Sequence, residues 1–347
     1  MLNVGVDVGG TNIKFGVIDE NGEILLQETT KTEPGRGSRV IVMSIIQGIG
    51  AILARTSLRH EDVTSIGIGI PGTADSKNGV VIYAPNLFWR NVEIVKDIRQ
   101  AFNVPTYIVQ DTRAAAWAEY LIGAGKGLRS VASVTIGTGI GCGMVFDGKI
   151  FHGALNTAGE FGHQIIELDG NLCNCGRRGC LEAYAGGLAI VRDAKKRIPG
   201  IHKLLGTNPS AVGVHHVYQL AQEGNAQARE LTDNVVKYIG MGLVNLININ
   251  SVELISISGG ISNAPSELLL DPLIDFVRNR AYESVADQVR ICRSDLGDDA
   301  PLIGAAMLFR EASDQTDSAL AVSPGVGSQA SQSSRDTNGY ACDGEAK

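Results

Sequence analysis

The sequence predicts a mixed α/β protein built from two similar lobes that face each other across a cleft. Three observations predict it. Strand-like and helix-like segments alternate along the chain, their order recurs once, and each copy carries a loop of glycine and threonine at the same place.

The first copy opens with an apolar strand from Leu2 to Asp7, the loop Val8-Gly9-Gly10-Thr11 and a strand from Ile13 to Ile18. The turn Glu20-Asn21-Gly22 leads into a third strand, Glu23 to Glu28, because Asn-Gly supplies the positive φ angles of a tight hairpin. Apolar residues at helical spacing predict a helix from Ser38 to Ala54, and Val63 to Ile70 reads as a strand closed by Pro71-Gly72. A helix over Asn91 to Phe102, a strand over Thr106 to Gln110 and a helix capped by Asp111 and running to about Ile122 complete the copy.

The second copy begins at Ser130. It has a strand from Val131 to Ile136, the loop Gly137-Thr138-Gly139-Ile140-Gly141, a strand from Cys142 to Phe146, the turn Asp147-Gly148 and a strand from Lys149 to Phe151. Beyond an insertion come a helix from Ala226 to Ile247, a strand from Glu253 to Ser258 ending in Gly259-Gly260, and a helix from Ser266 to Tyr282. A strand from Val289 to Cys292 and a helix from Pro301 to Glu311 close the repeat. The expected lobes are residues 1–120 and 121–312. Residues 313–347, rich in Ser, Gly, Asp and Gln, read as a disordered tail.

Composition narrows the function. With 347 residues, 44% hydrophobic and 19% charged, the chain has material for two cores. Its net charge of −7 offers no basic field for a nucleic acid, so none is expected as a partner. No run reaches the roughly 18 apolar residues of a membrane span, and Met1 leads directly into the first strand, so the expectation is a cytoplasmic protein without a membrane partner. Three of six cysteines fall within eight residues, Cys173, Cys175 and Cys180, a clustering that favours a metal over disulfides in that compartment.

Asp7 with Gly9, Gly10 and Thr11 suits phosphate chemistry, since glycines expose backbone N–H groups and a carboxylate can orient Mg²⁺ through water. The same residues also suit a plain hairpin turn, and it is the second loop at Gly137 to Gly141, in the equivalent position, that favours function. The spacing Gly139-x-Gly141-x-Gly143 leads into a strand, not the helix that a dinucleotide fingerprint needs, and no Walker motif is present. His163, Cys173, Cys175 and Cys180 make a candidate tetrahedral set of one nitrogen and three thiolates, of the closed kind that holds structural Zn²⁺. Buried, inert cysteines are the alternative, but Gly176-Arg177-Arg178-Gly179 reads as an exposed turn. Asp111 sits at a strand end where α/β proteins present catalytic groups, a placement compatible with a helix cap as well.

Asp7-Val8-Gly9-Gly10-Thr11, Gly137-Thr138-Gly139-Ile140-Gly141, Glu160-Phe161-Gly162-His163 and Cys173-Asn174-Cys175-Gly176-Arg177-Arg178-Gly179-Cys180-Leu181-Glu182 resemble the ROK family, named for repressors, open reading frames and kinases. The resemblance covers nearly all of residues 2–312 and includes Ile70-Pro71-Gly72, Pro85-Asn86-Leu87 and Ser258-Gly259-Gly260. It implies a two-lobed actin-like, ribonuclease H-like ATPase fold and an ATP-dependent carbohydrate kinase, commonly a homodimer. Asp7, Gly9, Gly10, Thr11, Asn12 and Lys14, with Gly137, Thr138 and Gly139, are then the ATP-phosphate residues, and Gly259 and Gly260 border the adenosine. Asp111 is the implied general base, and His163, Cys173, Cys175 and Cys180 the implied Zn²⁺ ligands. Gly72, Asn86, Gln110, Glu160, His163 and Glu182 are the implied contacts to a sugar or polyol.

The chain departs from the family pattern at Gln110 and Arg113, where most of the family's sugar kinases carry asparagine. A longer amide and a guanidinium there imply a shifted acceptor: a hexose other than glucose, or a cyclic polyol such as an inositol or inosose. Arg113 reads either as a pocket residue or as a charge on the helix surface. A sugar-responsive repressor lacking its DNA-binding domain and a binding protein that hydrolyses ATP without an acceptor are the rival readings. The retained Asp111 counts against the first, and Glu160 and Glu182 are unexplained by the second.

Overall fold

The computed structural model describes residues 1–312; the expected tail lies outside the described residues. Strands β1 (Leu2–Val8), β2 (Asn12–Asp19) and β3 (Ile24–Lys31) form an antiparallel meander, followed by α1 (Ser38–Arg55) and β4 (Val63–Ile70). A small sheet of β5 (Thr73–Asp75), β6 (Val80–Ala84) and β7 (Trp89–Val92) precedes α2 (Ile94–Phe102), β8 (Thr106–Gln110) and α3 (Asp111–Leu121). The first main sheet has the order β3-β2-β1-β4-β8, with β1, β4 and β8 parallel.

The second half repeats this plan with β9 (Ser130–Ile136), β10 (Ile140–Phe146) and β11 (Lys149–Ile150). Four helices fill the insertion: α4 (Glu182–Ala185), α5 (Gly187–Arg197), α6 (Ile201–Leu204) and α7 (Val214–Gln222). Then come α8 (Ala226–Asn250), β12 (Leu254–Ser258), α9 (Leu270–Arg278), α10 (Glu283–Ala286), β13 (Arg290–Arg293) and α11 (Ala300–Ala306). The sheet order β11-β10-β9-β12-β13 matches the first sheet strand for strand.

Several expectations change. The helix expected from Asn91 starts only at Ile94, because Trp89–Val92 pairs with β6 and Asn91 takes a left-handed φ of 50°. The helix expected from Ser266 to Tyr282 is a 3₁₀ turn, Ser266–Leu268, and then α9, broken at Leu269 with φ −136° and ψ −70°. The helix α1 is long and apolar enough to cross a membrane by those measures alone, although no uninterrupted apolar run was expected. Its residues Ile41, Ile45, Ile49 and Ile52 are buried in the core of the first sheet.

Each sheet has its own core, and a third core joins them. It contains Ala114 to Ala118 of α3, Val145 of β10 and Ala300, Ile303 and Ala305 of α11. The last helix, expected with the second lobe, lies on the first sheet: Leu302 and Ala306 pack with Ile18. Small residues allow it, for a Cβ on Gly67 of β4 would stand 1.7 Å from the Ala305 carbonyl oxygen. Thus α3 and α11 cross between the halves.

Candidate active site

The carboxyl ends of the parallel strands carry the acidic groups, as is usual for ligand sites in open α/β sheets. Asp7 near the end of β1 pairs in register with Gly69 of β4, and Ile70 pairs with Gln110 of β8. Asp111 follows directly. A Cβ on Gly69 would lie 3.6 Å from the Asp111 Cα, an ordinary contact, and the charge of Asp7 on β1 is felt by Asp111 across β4.

Asp111 is not the helix cap that its position suggested. Gln110 flanks the helix, and Asp111 is the first helical residue, its Oδ1 accepting the Thr112 N–H at 2.7 Å. Burial, then the charges of Asp7 and Glu160, push its carboxyl up to about 7 against the pull of the Thr112 N–H. Burial likewise raises Asp7 to about 6; Lys14 opposes this, and Asp299 and Asp298 add to it. A carboxylate held near neutrality in a cleft is suited to take and return a proton.

The first glycine loop turns through Gly9 N–H to Asn12 O at 2.8 Å and is tied by Thr32 Oγ1–H to Gly9 O at 2.7 Å. Thr11 and Asn12 are exposed at its tip, and a Cβ on Gly10 would come within 3.9 Å of Asn86. Asn86 lies on a 3₁₀ turn after β6, and Gly72 holds a φ of 90° where a Cβ would strike the Tyr83 carbonyl oxygen at 2.2 Å. Lys14, expected at the phosphates, donates to Asp299 Oδ1 at 3.0 Å and Asp298 O at 2.7 Å, tethering β2 to the start of α11.

In the second loop the Gly137 and Thr138 carbonyls accept N–H groups of Gly187 and Leu188, at 2.9 and 3.3 Å, so the start of α5 fixes the loop. Gly141 and Gly143 serve packing instead: a Cβ on either would meet Thr112 within 2.5 Å, which lets α3 lie flat on β10. Gly259, at a φ of 85°, follows β12 against Ile136, and beside it Gly260 has open space where a Cβ would stand.

His163, Cys173, Cys175 and Cys180 converge, their ligand atoms all within 4.8 Å of one another. Cys173 Sγ is 3.8 Å from His163 Nδ1, and Cys175 Sγ is 3.7 Å from Cys180 Sγ. Zinc bonds of about 2.0–2.3 Å in a tetrahedron require ligand separations of roughly 3.5–3.8 Å, which these two pairs match, and one nitrogen with three sulfurs is a donor set that suits that ion. His163 Nε2 points the other way, 3.9 Å from Glu160 Oε2. Glu182 bridges two motifs, its Oε2 accepting the Ile140 N–H at 2.8 Å while Oε1 lies 3.8 Å from Cys173 Sγ.

Arg113 is not a surface charge. It is 1% exposed, and its Nη2 donates to the carbonyls of Asn156 and Ala158 at 3.0 and 2.7 Å, just ahead of Glu160. Nη2 alone therefore holds the loop that carries Glu160, while Nε and Nη1 are buried without a hydrogen-bond partner. Three residues escaped the sequence reading: Asp298 and Asp299 near Asp7, and Phe88, 80% exposed at a φ of 58°, two residues from Asn86. An Asp-Asp pair ahead of Ala300-Pro301 was the available signal for the first two.

The ROK family profile matches residues 3–312. The chain belongs to the ROK family. A glucokinase of Streptomyces coelicolor is 34% identical over 324 residues, covering 89% of this chain and 98% of that protein. A crystal structure of a ROK family glucokinase from Streptomyces griseus, in complex with glucose and AMPPNP, superposes with a TM-score of 0.77 at 34% identity, covering 89% and 99% of the two chains. A xylose repressor of Caldicellulosiruptor bescii is 29% identical over 304 residues, 87% of this chain and 76% of the repressor. The two-lobed actin-like fold of the family's sugar kinases is the fold of this ROK protein.

Proposed function

We propose that this ROK protein is a sugar kinase that transfers the γ-phosphoryl group of ATP to a hydroxyl of a hexose. The observation that carries the reading is Asp111, a carboxyl held near neutrality by burial and by Asp7, beside the first glycine loop and on the helix whose Arg113 anchors the Glu160 loop. Asp111 takes the proton of the attacking hydroxyl, whose oxygen bonds to the γ-phosphorus as the bond to the leaving ADP oxygen breaks. A base has no task in a repressor, which disfavours that reading.

Residues 1–120 and 121–312 are the closing lobes, with α11 crossing back onto the first. Gly9, Gly10, Thr11 and Asn12 on one side and Gly137, Thr138 and Gly139 on the other hold the ATP phosphates, and Gly259 and Gly260 border the adenosine. Asp7, with Asp298 and Asp299 near it, is an all-oxygen set that suits Mg²⁺, which would offset phosphate charge when bound. Gly72, Asn86, Gln110, Glu160, His163 and Glu182 face the sugar. The His163, Cys173, Cys175 and Cys180 set holds a structural Zn²⁺ that would fix the His163 ring and, through Glu182, the second loop. Exposed Ile165, Leu168 and Leu172 beside the cysteines offer an apolar face for a homodimer, and the need for ATP fits a cytoplasmic enzyme.

The finer reading is that glucose is not the preferred acceptor, because Gln110 and Arg113 stand where the family pattern has asparagine. Arg113 acts on the acceptor through the Asn156–Ala158 carbonyls and thus through Glu160. An ATP-coupled assay over glucose, its epimers, N-acetylhexosamines and cyclitols tests both levels. ADP release with no member of the panel overturns the kinase reading. Glucose giving the highest kcat/KM overturns the finer reading alone, and so does a Gln110→Asn, Arg113→Asn double variant that gains nothing on glucose relative to the best acceptor.

A further inference from the structure

A cavity of about 630 Å³ opens between the lobes beside the start of β8, at the opposite end of that strand from Gln110. Ser76, Lys77 and Arg99 line it from the first half, and His152, Asn156 and Glu311 from elsewhere in the chain. None of the residues assigned above to sugar, ATP or metal is among its walls. Its size falls within the roughly 300–1,000 Å³ of small-molecule sites.

Its chemistry favours an anion. Among the described residues Glu311 carries the one carboxylate of the lining, and that group already accepts the Ile150 N–H at 3.2 Å and faces His152 Nε2 at 3.5 Å. Lys77 and Arg99 are the exposed cations of the walls, Lys77 close enough to Asp75 to help hold its carboxyl down and Arg99 with one nitrogen on the Thr106 carbonyl. Ser76 Oγ and His152 Nδ1 are buried without a hydrogen-bond partner, an unfavourable state for groups that can donate or accept.

We propose that this cavity is a second ligand site, for a small phosphorylated metabolite, and that its occupancy alters sugar binding. Phosphate oxygens match the two cations of the walls, Lys77 and Arg99. The route to the sugar is short. Asn156 lines the cavity, its carbonyl and that of Ala158 are held by Arg113, and Glu160 follows two residues later. A ligand that touches both halves favours the lobe arrangement in which those contacts are best made.

The test uses the full chain saturated with its hexose and a non-hydrolysable ATP analogue, so that the catalytic cleft is filled. Orthophosphate and, separately, a hexose 6-phosphate are titrated in by calorimetry. The expected result is one binding event per chain, weakened at least about tenfold in a Lys77→Ala, Arg99→Ala double variant whose basal kcat is unchanged. Tighter binding of the hexose 6-phosphate assigns part of the site to the sugar moiety, and equal binding assigns it to phosphate alone; both support the site. No binding of either probe, or equal binding by the double variant, overturns it. The hexose KM should shift at least about threefold with the bound probe in the unaltered protein only, and an unchanged KM refutes the coupling.

Discussion

At Asp111 the proton transfer proposed above and the stability of the fold make opposing demands. A carboxyl raised from 3.8 to about 7 in the fold binds a proton more tightly there than in the unfolded chain. The stability it contributes is therefore fully present below about pH 4 and is lost as pH rises through about 7. Asp7, at about 6, adds in the same sense. Asp111→Asn should cut turnover by at least about a hundredfold while ATP still binds. The same variant should melt at a higher temperature than the unaltered protein at pH 8, in Mg²⁺-free buffer, with the gain shrinking towards pH 4.5. A stability difference that does not change with pH would mean that Asp111 is not held protonated by its surroundings. Near-normal turnover would remove it from the chemistry.

The elements beside Asp111 differ in how plainly the sequence announces them. Both glycine hairpins were legible because a strand, a glycine loop and a second strand are local, and the loops fall at matching places in β1-β2 and β9-β10. The cysteine turn was legible for the same reason, its three thiols lying within eight residues. The small sheet β5-β6-β7 was not, because Trp89–Val92 is short and continues into the apolar spacing of α2. Nor was the role of Arg113 readable, since its acceptors lie 43 and 45 residues further along the chain. The cysteine turn reaches two other motifs: His163 Nε2 lies 3.9 Å from Glu160 Oε2, and Glu182 Oε2 accepts the Ile140 N–H of the second glycine loop. Metal analysis should find one tightly held Zn²⁺ per chain. Cys175→Ser should lose it and raise KM for sugar and ATP together, because both ends of the turn would move. A raised sugar KM with an unchanged ATP KM would show that Glu182 does not transmit the metal's hold to the nucleotide loop, and unchanged metal content would refute the site.

Across the whole molecule, two cores built on matching sheets are joined by the crossing of α3 and α11, so the stability of each lobe is tied to this contact. Nothing local in the sequence reveals that α11 returns to the first sheet; its Ala-rich and Gly-containing composition only permits it. The contact is close. A Cβ on Gly304 would stand 1.7 Å from the Ala114 carbonyl oxygen, and backbone on a packed helix cannot give way as a flexible side chain can. Gly304→Ala must therefore part the two helices, at a cost of about 1–3 kcal/mol typical of overpacking. Gly50, inside α1 with open space for 4 Å around the point a Cβ would occupy, makes the control: alanine there should stabilise by about 0.5–1 kcal/mol through helix propensity. Calorimetry on both variants decides the matter. The expected result is a lower melting temperature for Gly304→Ala, with one unfolding transition separating towards two as the lobes lose their common core, and a higher one for Gly50→Ala. If Gly304→Ala melts with the unaltered protein, the crossing is looser than the helix spacing requires, and the lobes are coupled through the cleft instead.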